Sequence, residues 1–195
     1  MQLVFATNNQ NKIKEVQLLI PSSIKVLSLN DIGCFEDIPE TQNTIEGNAK
    51  QKANYIFTKY GYNCFADDTG LEVETLNGAP GVFSARYAGL QKNENDNINK
   101  LLGELMNKKN RNAQFKTVIA LQLNNKIETF TGICKGTITS NKIGSHGFGY
   151  DPIFKPNNYD QTFAEMEVGL KNKIGHRGKA VKLLMTYLNK LIVKN

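Results

Sequence analysis

Nowhere does the chain carry an apolar run near the roughly 20 residues that a membrane-spanning helix needs. The apolar start Leu3 to Ala6 stops at Thr7 and Asn8, which leaves no room for a charged-then-apolar signal segment. A cytoplasmic protein with no membrane association is the expectation. Cysteine is scarce too: Cys34, Cys64 and Cys134 are odd in number and far apart, so they resemble neither a disulfide framework nor a zinc site and read as small buried thiols. Internal repeats, low-complexity tracts and linker-like stretches are also missing, and the glycines of a P-loop are absent.

What is present suits an ordinary globular protein. The 195 residues, 40% hydrophobic and 22% charged, are enough to bury most of their apolar surface in one domain spanning 1–195. The formal charge of +6 suits an anionic partner, whether nucleic acid, membrane or nucleotide, but Lys and Arg are scattered rather than blocked. Charge alone does not choose among these.

The pattern of the first half alternates strand and helix. Leu3 to Ala6 reads as a strand, followed by a polar loop and a helix with Ile13, Val16, Leu19 and Ile20 on one face, closed by Pro21. A strand is expected around Ile24 to Leu29 and a helix over Ile45 to Tyr60, where Ala49, Ala53, Ile56, Phe57 and Tyr60 recur at helical spacing and Asn43 with Glu46 resembles a capping box. Tyr62 to Ala66 reads as a strand ending at Asp67 and Asp68, with a new extended stretch from Leu71 to Leu76. Next come a helix carrying Ile98, Leu101, Leu102, Leu105 and Met106, and a hairpin of Gln114 to Leu123 and Ile127 to Thr139 turning at Asn124 and Asn125. A Gly-rich loop, Gly144 to Asp151, leads to a last helix with Ala180, Leu183, Leu184, Tyr187, Leu188 and Leu191 on one face. An α/β fold around a mixed sheet follows from this order.

Four places can carry chemistry. Thr7, Asn8, Asn9, Gln10, Asn11 and Lys12 join a strand to a helix, where free backbone amides and a positive dipole end favour an anion, although Asn-rich turns also simply cap helices. Asp67 and Asp68 are strand neighbours and point to opposite faces, so only one easily faces a ligand. A carboxylate there can hold Mg²⁺, with Glu40 as a second ligand, or the pair is a solvated acidic turn. Ser145 to Pro152 combines close-approach glycines with Phe148 and Tyr150, which suits a nucleobase pocket or an aromatic-anchored loop in which Asp151 accepts a turn hydrogen bond. Lys171, His176 and Arg177 place donors before and at the start of the last helix, where cations oppose the helix dipole unless an anion is present.

In this order these stretches resemble the inosine/xanthosine triphosphate pyrophosphatase family, which clears non-standard purine nucleotides. The resemblance runs from Phe5, Ala6, Thr7, Asn8 through the segment Phe65 to Leu71 and the segment Gly78 to Tyr87, to Gly147 to Pro152 and His176, Arg177. It implies that Thr7 to Lys12 grips the triphosphate, that Glu40 and Asp68 bind Mg²⁺, and that Asp68 accepts a proton from the attacking water while Thr69 touches the substrate. It further implies that Phe148, Gly149, Tyr150, Asp151, Lys171, His176 and Arg177 form the base and sugar end. The implied fold is an elongated mixed β-sheet with flanking helices and two lobes around a central nucleotide cleft, in a homodimer that binds no nucleic acid.

The expected reaction is attack of a carboxylate-activated water on the α-phosphorus with departure of pyrophosphate from ITP, dITP or XTP. Two departures from the family pattern bear on base choice: Gly175 stands where a Ser commonly precedes the His, Arg pair, and Gly169 and Leu170 stand where two acids commonly precede the Lys. The expectation is retained activity with base discrimination as the exposed property. The competing readings are a house-cleaning pyrophosphatase for pyrimidine or modified nucleotides, a basic nucleic-acid-binding module that has no use for Asp68, and a nucleotide-binding regulator without turnover.

Overall fold

The strand, loop and helix opening is realised in the computed structural model, which describes residues 1–192. β1 (Gln2–Phe5) leads to α1 (Gln10–Gln17), β2 (Lys25–Leu27), α2 (Ile45–Tyr60), β3 (Cys64–Val73), β4 (Pro80–Gly81), α3 (Glu94–Glu104), β5 (Asn112–Leu123), β6 (Lys126–Ile138), β7 (Phe154–Pro156), α4 (Val168–Ile174) and α5 (His176–Ile192). The sheet order is β2-β1-β3-β5-β6-β7, with β4 on β3. β1 pairs parallel with β2 and β3, whereas β4 on β3 and β7 on β6 are antiparallel, so the sheet is mixed as expected for this α/β fold.

Contacts group the chain into two compact units, one of Met1–Asp68, Thr117–Gly132 and the helix from Arg177, the other of Thr69–Lys116 and Ile133–His176. In the first unit, alternation along the strands sends Leu3, Phe5, Phe65, Ile119 and Leu121 into one core with Val16 of α1 and Ala180, Val181, Leu184 and Leu188 of α5. Phe5 and Phe65 stack there at 4.6 Å between centroids. Cys64, the strand neighbour of Phe65, faces α2, whose Ala49, Ala53 and Ile56 are fully buried and whose Ala53 carbonyl accepts from the Cys64 thiol at 3.1 Å. The second unit packs Leu71 and Val73 of β3, Ile98, Leu101 and Leu105 near α3, and Phe115, Ile138, Phe154 and Phe163 into its own core.

Several boundaries differ from the sequence expectation for identifiable reasons. β3 is one ten-residue strand, so Asp67 and Asp68 lie inside it and not at a strand end. Turn-like residues stay extended because the two acids find cations, described below, in place of water. The cap of α2 is Thr44, whose hydroxyl accepts from the Gly47 amide at 2.9 Å, and not Asn43. Glu46 instead pairs with Lys50 one turn on. α2 ends where expected, at Gly61 with a left-handed φ of 74°. α3 stops at Glu104, which leaves Met106 77% exposed, and the buried stripe of α5 runs through Val181 and Met185 while Leu183 is outside it. α4, which carries Lys171, was not expected at all. All three cysteines are buried free thiols. Among the described residues no helix is long and apolar enough to cross a membrane.

Removing the α2 cap with Thr44→Ala should lower stability by about 1 kcal/mol, measured as a shift of the urea midpoint at constant slope.

Candidate functional site

The first unit gathers its charges on β3. Asp67 is fully buried on the face covered by α1 and α5, where its Oδ1 accepts from Lys12 Nζ at 2.9 Å and its Oδ2 from Arg177 Nε at 3.1 Å. Arg177 Nη1 also donates to Glu15. Burial pushes the Asp67 carboxyl up, but the Lys12 and Arg177 charges outweigh it and hold the group well below the usual carboxylate range. Burial lowers Lys12, with Asp67 opposing. Lys12 and Arg177 both sit in the first turn of a helix, against its dipole, and the anion that relieves this is supplied by Asp67 and Glu15. The dipole argument for a bound anion at Arg177 is therefore already met inside the protein.

Asp68 points the other way, toward α2. Its Oδ2 accepts from the Asn48 amide at 3.3 Å and its Oδ1 lies 3.9 Å from Lys52 Nζ, while the same ammonium donates to Glu40. Burial raises the Asp68 carboxyl, with Glu40 and Asp67 adding to the rise and Lys52 opposing it. Asp68 is thus a better proton acceptor than an ordinary exposed carboxylate, before any metal is considered. Burial depresses the Lys52 ammonium, but Asp68 and Glu40 outweigh it and keep the group charged.

The loop ahead of α1 is largely self-satisfied. Asn9 caps the helix, its Oδ1 accepting from the Asn11 and Lys12 amides at 3.0 and 3.1 Å, and the Thr7 hydroxyl accepts from the Asn9 amide at 3.2 Å. Asn8, Asn9, Gln10 and Asn11 are exposed, so the polar side chains face solvent while Lys12 reaches inward to Asp67. The capping role read from the sequence is present, and it uses amides that an anion would otherwise take.

The second unit holds the other group. Asp151 Oδ2 accepts from the Phe148 amide at 2.9 Å and from Lys171 Nζ at 2.6 Å, so the expected turn acceptor is also an ion-pair partner. A Cβ on Gly147, whose φ is 75°, would collide with that same carboxylate, which is why the loop needs glycine there. Lys171 Nζ lies 4.9 Å from the centre of the Phe148 ring, and His176 stacks on Phe115 at 4.5 Å. Tyr150 is not a free stacking surface: it is buried and its hydroxyl donates to the Ser84 carbonyl at 2.9 Å. Gly149 has a left-handed φ of 60° and open space around it, and Thr69 follows Asp68 in β3, half-buried. At Gly175 an added Cβ would lie 2.6 Å from the Lys171 carbonyl, so the missing side chain lets α4 close tightly.

Among the expected residues, Lys12, Asp68, Glu40 and Arg177 thus belong to ion-pair networks of the first unit, while in the second Asp151 pairs with Lys171, Phe148 lies against that ammonium and His176 stacks on Phe115. Sequence reasoning missed Lys52, Asn48 and Glu15. Their signal was a polar stripe on α2 and one acid in α1, which reads as solvated surface until its partners are known.

The model of the Ham1 family matches residues 3–187. The chain belongs to the Ham1 family. It is 67% identical over 187 residues to a "dITP/XTP pyrophosphatase" of Flavobacterium psychrophilum, covering 96% of this chain and 98% of the relative. Among solved structures it is similar to a Ham1 protein of Staphylococcus aureus (TM-score 0.89, 39% identity, 97% and 99% of the two chains covered). It is likewise similar to a HAM1 protein of Coxiella burnetii (TM-score 0.91, 37% identity, 97% and 99% covered). In this Ham1 chain the donor set at Glu40 and Asp68 fits a hard divalent cation. Both groups are carboxylates, they converge on one point, and that point already accommodates a positive charge in the Lys52 ammonium.

Asp67→Asn strands Lys12 and Arg177 without their shared anion and should cost about 3–5 kcal/mol at neutral pH, read by urea denaturation. Because the folded Asp67 carboxyl lies below its ordinary value of 3.8, its contribution is fully present above that value and is lost as pH falls through the lower, folded one. The gap between wild type and variant should hold from neutral pH down to the ordinary carboxylate value and narrow only below it.

Proposed function

We propose that the chain hydrolyses the non-standard purine nucleoside triphosphates dITP, ITP and XTP to the monophosphate and pyrophosphate, clearing them from the nucleotide pool. The observation that carries this is the convergence of Glu40 and Asp68 on one cationic point, in a chain so similar to a relative named for dITP and XTP. The unit of function is one pyrophosphatase domain over 1–195, acting as a cytoplasmic homodimer with Mg²⁺.

Glu40 and Asp68 would hold the Mg²⁺, which supplies charge neutralisation of phosphate oxygens and acidification of a water. Lys12 and Lys52 meet the phosphate chain, with the polar side chains of Thr7, Asn8, Asn9, Gln10 and Asn11 beside it. Asp68 accepts the proton of the attacking water, and Thr69 contacts the phosphate end. The water oxygen forms a bond to the α-phosphorus, the bond from that phosphorus to the bridging oxygen breaks, and pyrophosphate leaves with the bonding pair.

Phe148, Gly149, Tyr150, Asp151, Lys171 and His176 recognise base and sugar. Tyr150 contributes by anchoring the loop through Ser84, whereas Arg177 holds Asp67 in place. Donors matched to a 6-keto purine would be left without acceptors by adenine's amino group, which is the source of selectivity. Gly175 removes one hydroxyl from that set relative to the family pattern, so discrimination should suffer before turnover does.

A panel of nucleotides with Mg²⁺, assayed for both monophosphate and pyrophosphate, tests bond position and base together. ITP, dITP and XTP should be consumed far faster than ATP, dTTP or UTP. Faster loss of the pyrimidines would refute the substrate class, and free phosphate with a diphosphate product would place the cut at another bond. Asp68→Asn should lower kcat by about 10²-fold or more while leaving the fold intact by circular dichroism.

A further inference from the structure

α2 carries a second stripe beside its apolar one. Asn48, Gln51, Lys52, Tyr55 and Lys59 recur at helical spacing, and each hydrogen-bonds the segment that contains Glu40. Glu36 Oε1 accepts from Tyr55, Lys59 and Tyr60 at 2.8, 2.6 and 2.6 Å. Gln51 holds Thr41 twice, accepting from its amide and donating to its hydroxyl, both at 2.9 Å. Asn48 Oδ1 accepts from the Gln42 amide at 2.9 Å. Gly47 permits this closeness, since a Cβ there would lie 2.8 Å from the Gln42 Cβ.

Asn48 differs from the others because it touches both sides of the candidate metal site. A backbone amide can only donate, so the Asn48 atom that meets Gln42 must be its oxygen, and the NH₂ end therefore faces Asp68. One buried side chain, 1% exposed, is thus tied to Asp68 on β3 and, two residues from Glu40, to the segment that carries it. Gln51 grips the residue next to Glu40.

We propose that Asn48 and Gln51 are positioning residues that set the spacing of Glu40 and Asp68 and so tune the affinity of the site for a divalent cation. The inference rests on the metal role given to those two carboxylates above. Neither amide touches the cation; Asn48 acts through Asp68 and the Gln42 backbone, and Gln51 through Thr41, the neighbour of Glu40, and loss of such support typically weakens metal binding about 10–100-fold.

The test is Mn²⁺ binding, followed by electron paramagnetic resonance of free Mn²⁺, to the full-length protein with a non-hydrolysable α,β-imido analogue of dITP. Asn48→Ala should weaken Mn²⁺ binding by about 10–100-fold and Gln51→Ala in the same direction but less. Thr44→Ala, which loosens the same helix start without touching the stripe, should keep wild-type affinity, whereas a purely structural effect would move all three together. If Asn48→Ala fails to fold, Gln51→Ala carries the test. Wild-type Mn²⁺ affinity in both Ala variants, alongside a clear loss in Glu40→Gln, overturns the positioning role alone. Wild-type affinity in Glu40→Gln as well overturns the metal-ligand reading and this inference with it.

Discussion

The structure of the first unit turns on a buried carboxylate that two helices share. Lys12 opens α1, Arg177 opens α5, and both cations reach Asp67 in the middle of β3. A charge removed from water at that depth persists only if it is fully paired, and here it is paired with groups that would themselves be poorly placed without it. Fixing Asp67 in this way also fixes its neighbour. Successive strand residues alternate faces, so the carboxylate that β3 offers to α2 is Asp68.

α2 answers with two stripes of different chemistry. Ala49, Ala53 and Ile56 are small or branched apolar residues that bring the helix close to the strands, while Asn48, Gln51, Lys52, Tyr55 and Lys59 pin the extended segment 36–42 along its flank. A segment without regular secondary structure, which would otherwise lose much entropy on ordering, is held at several points. Glu40 therefore arrives beside Asp68 on a support, and the Lys52 ammonium marks the point where the two meet. In the second unit the same economy appears in Asp151, which serves at once as turn acceptor for Phe148 and as partner of Lys171.

Local rules reached some of this and missed the rest in a consistent way. The bounds of α2 and the turn between β5 and β6 were legible because they depend on periodicity and on glycine or asparagine at their ends. The end of β3 was misread because Asp67, Asp68, Thr69 and Gly70 are turn formers when solvated and strand residues when paired with cations from distant segments. Lys52 and Asn48 were passed over because a polar helix face looks solvated until a partner from outside the helix covers it. For Tyr150 the sequence leaves a stacking surface and a loop anchor both open, because composition does not tell a buried ring from an open one, and burial with the Ser84 hydrogen bond selects the anchor.

By itself the sequence determined the alternation of strands and helices, the opposite facing of Asp67 and Asp68, and the ordered motifs that the Ham1 family shares, since all of these are carried by neighbours along the chain. Only the tertiary structure decided which of the two acids is sealed in an ion network and which is offered to α2. Arg177 reaches Asp67 across 110 residues of sequence and Lys12 reaches it across 55. Contacts at such separations obey packing and charge neutralisation, which no local pattern encodes.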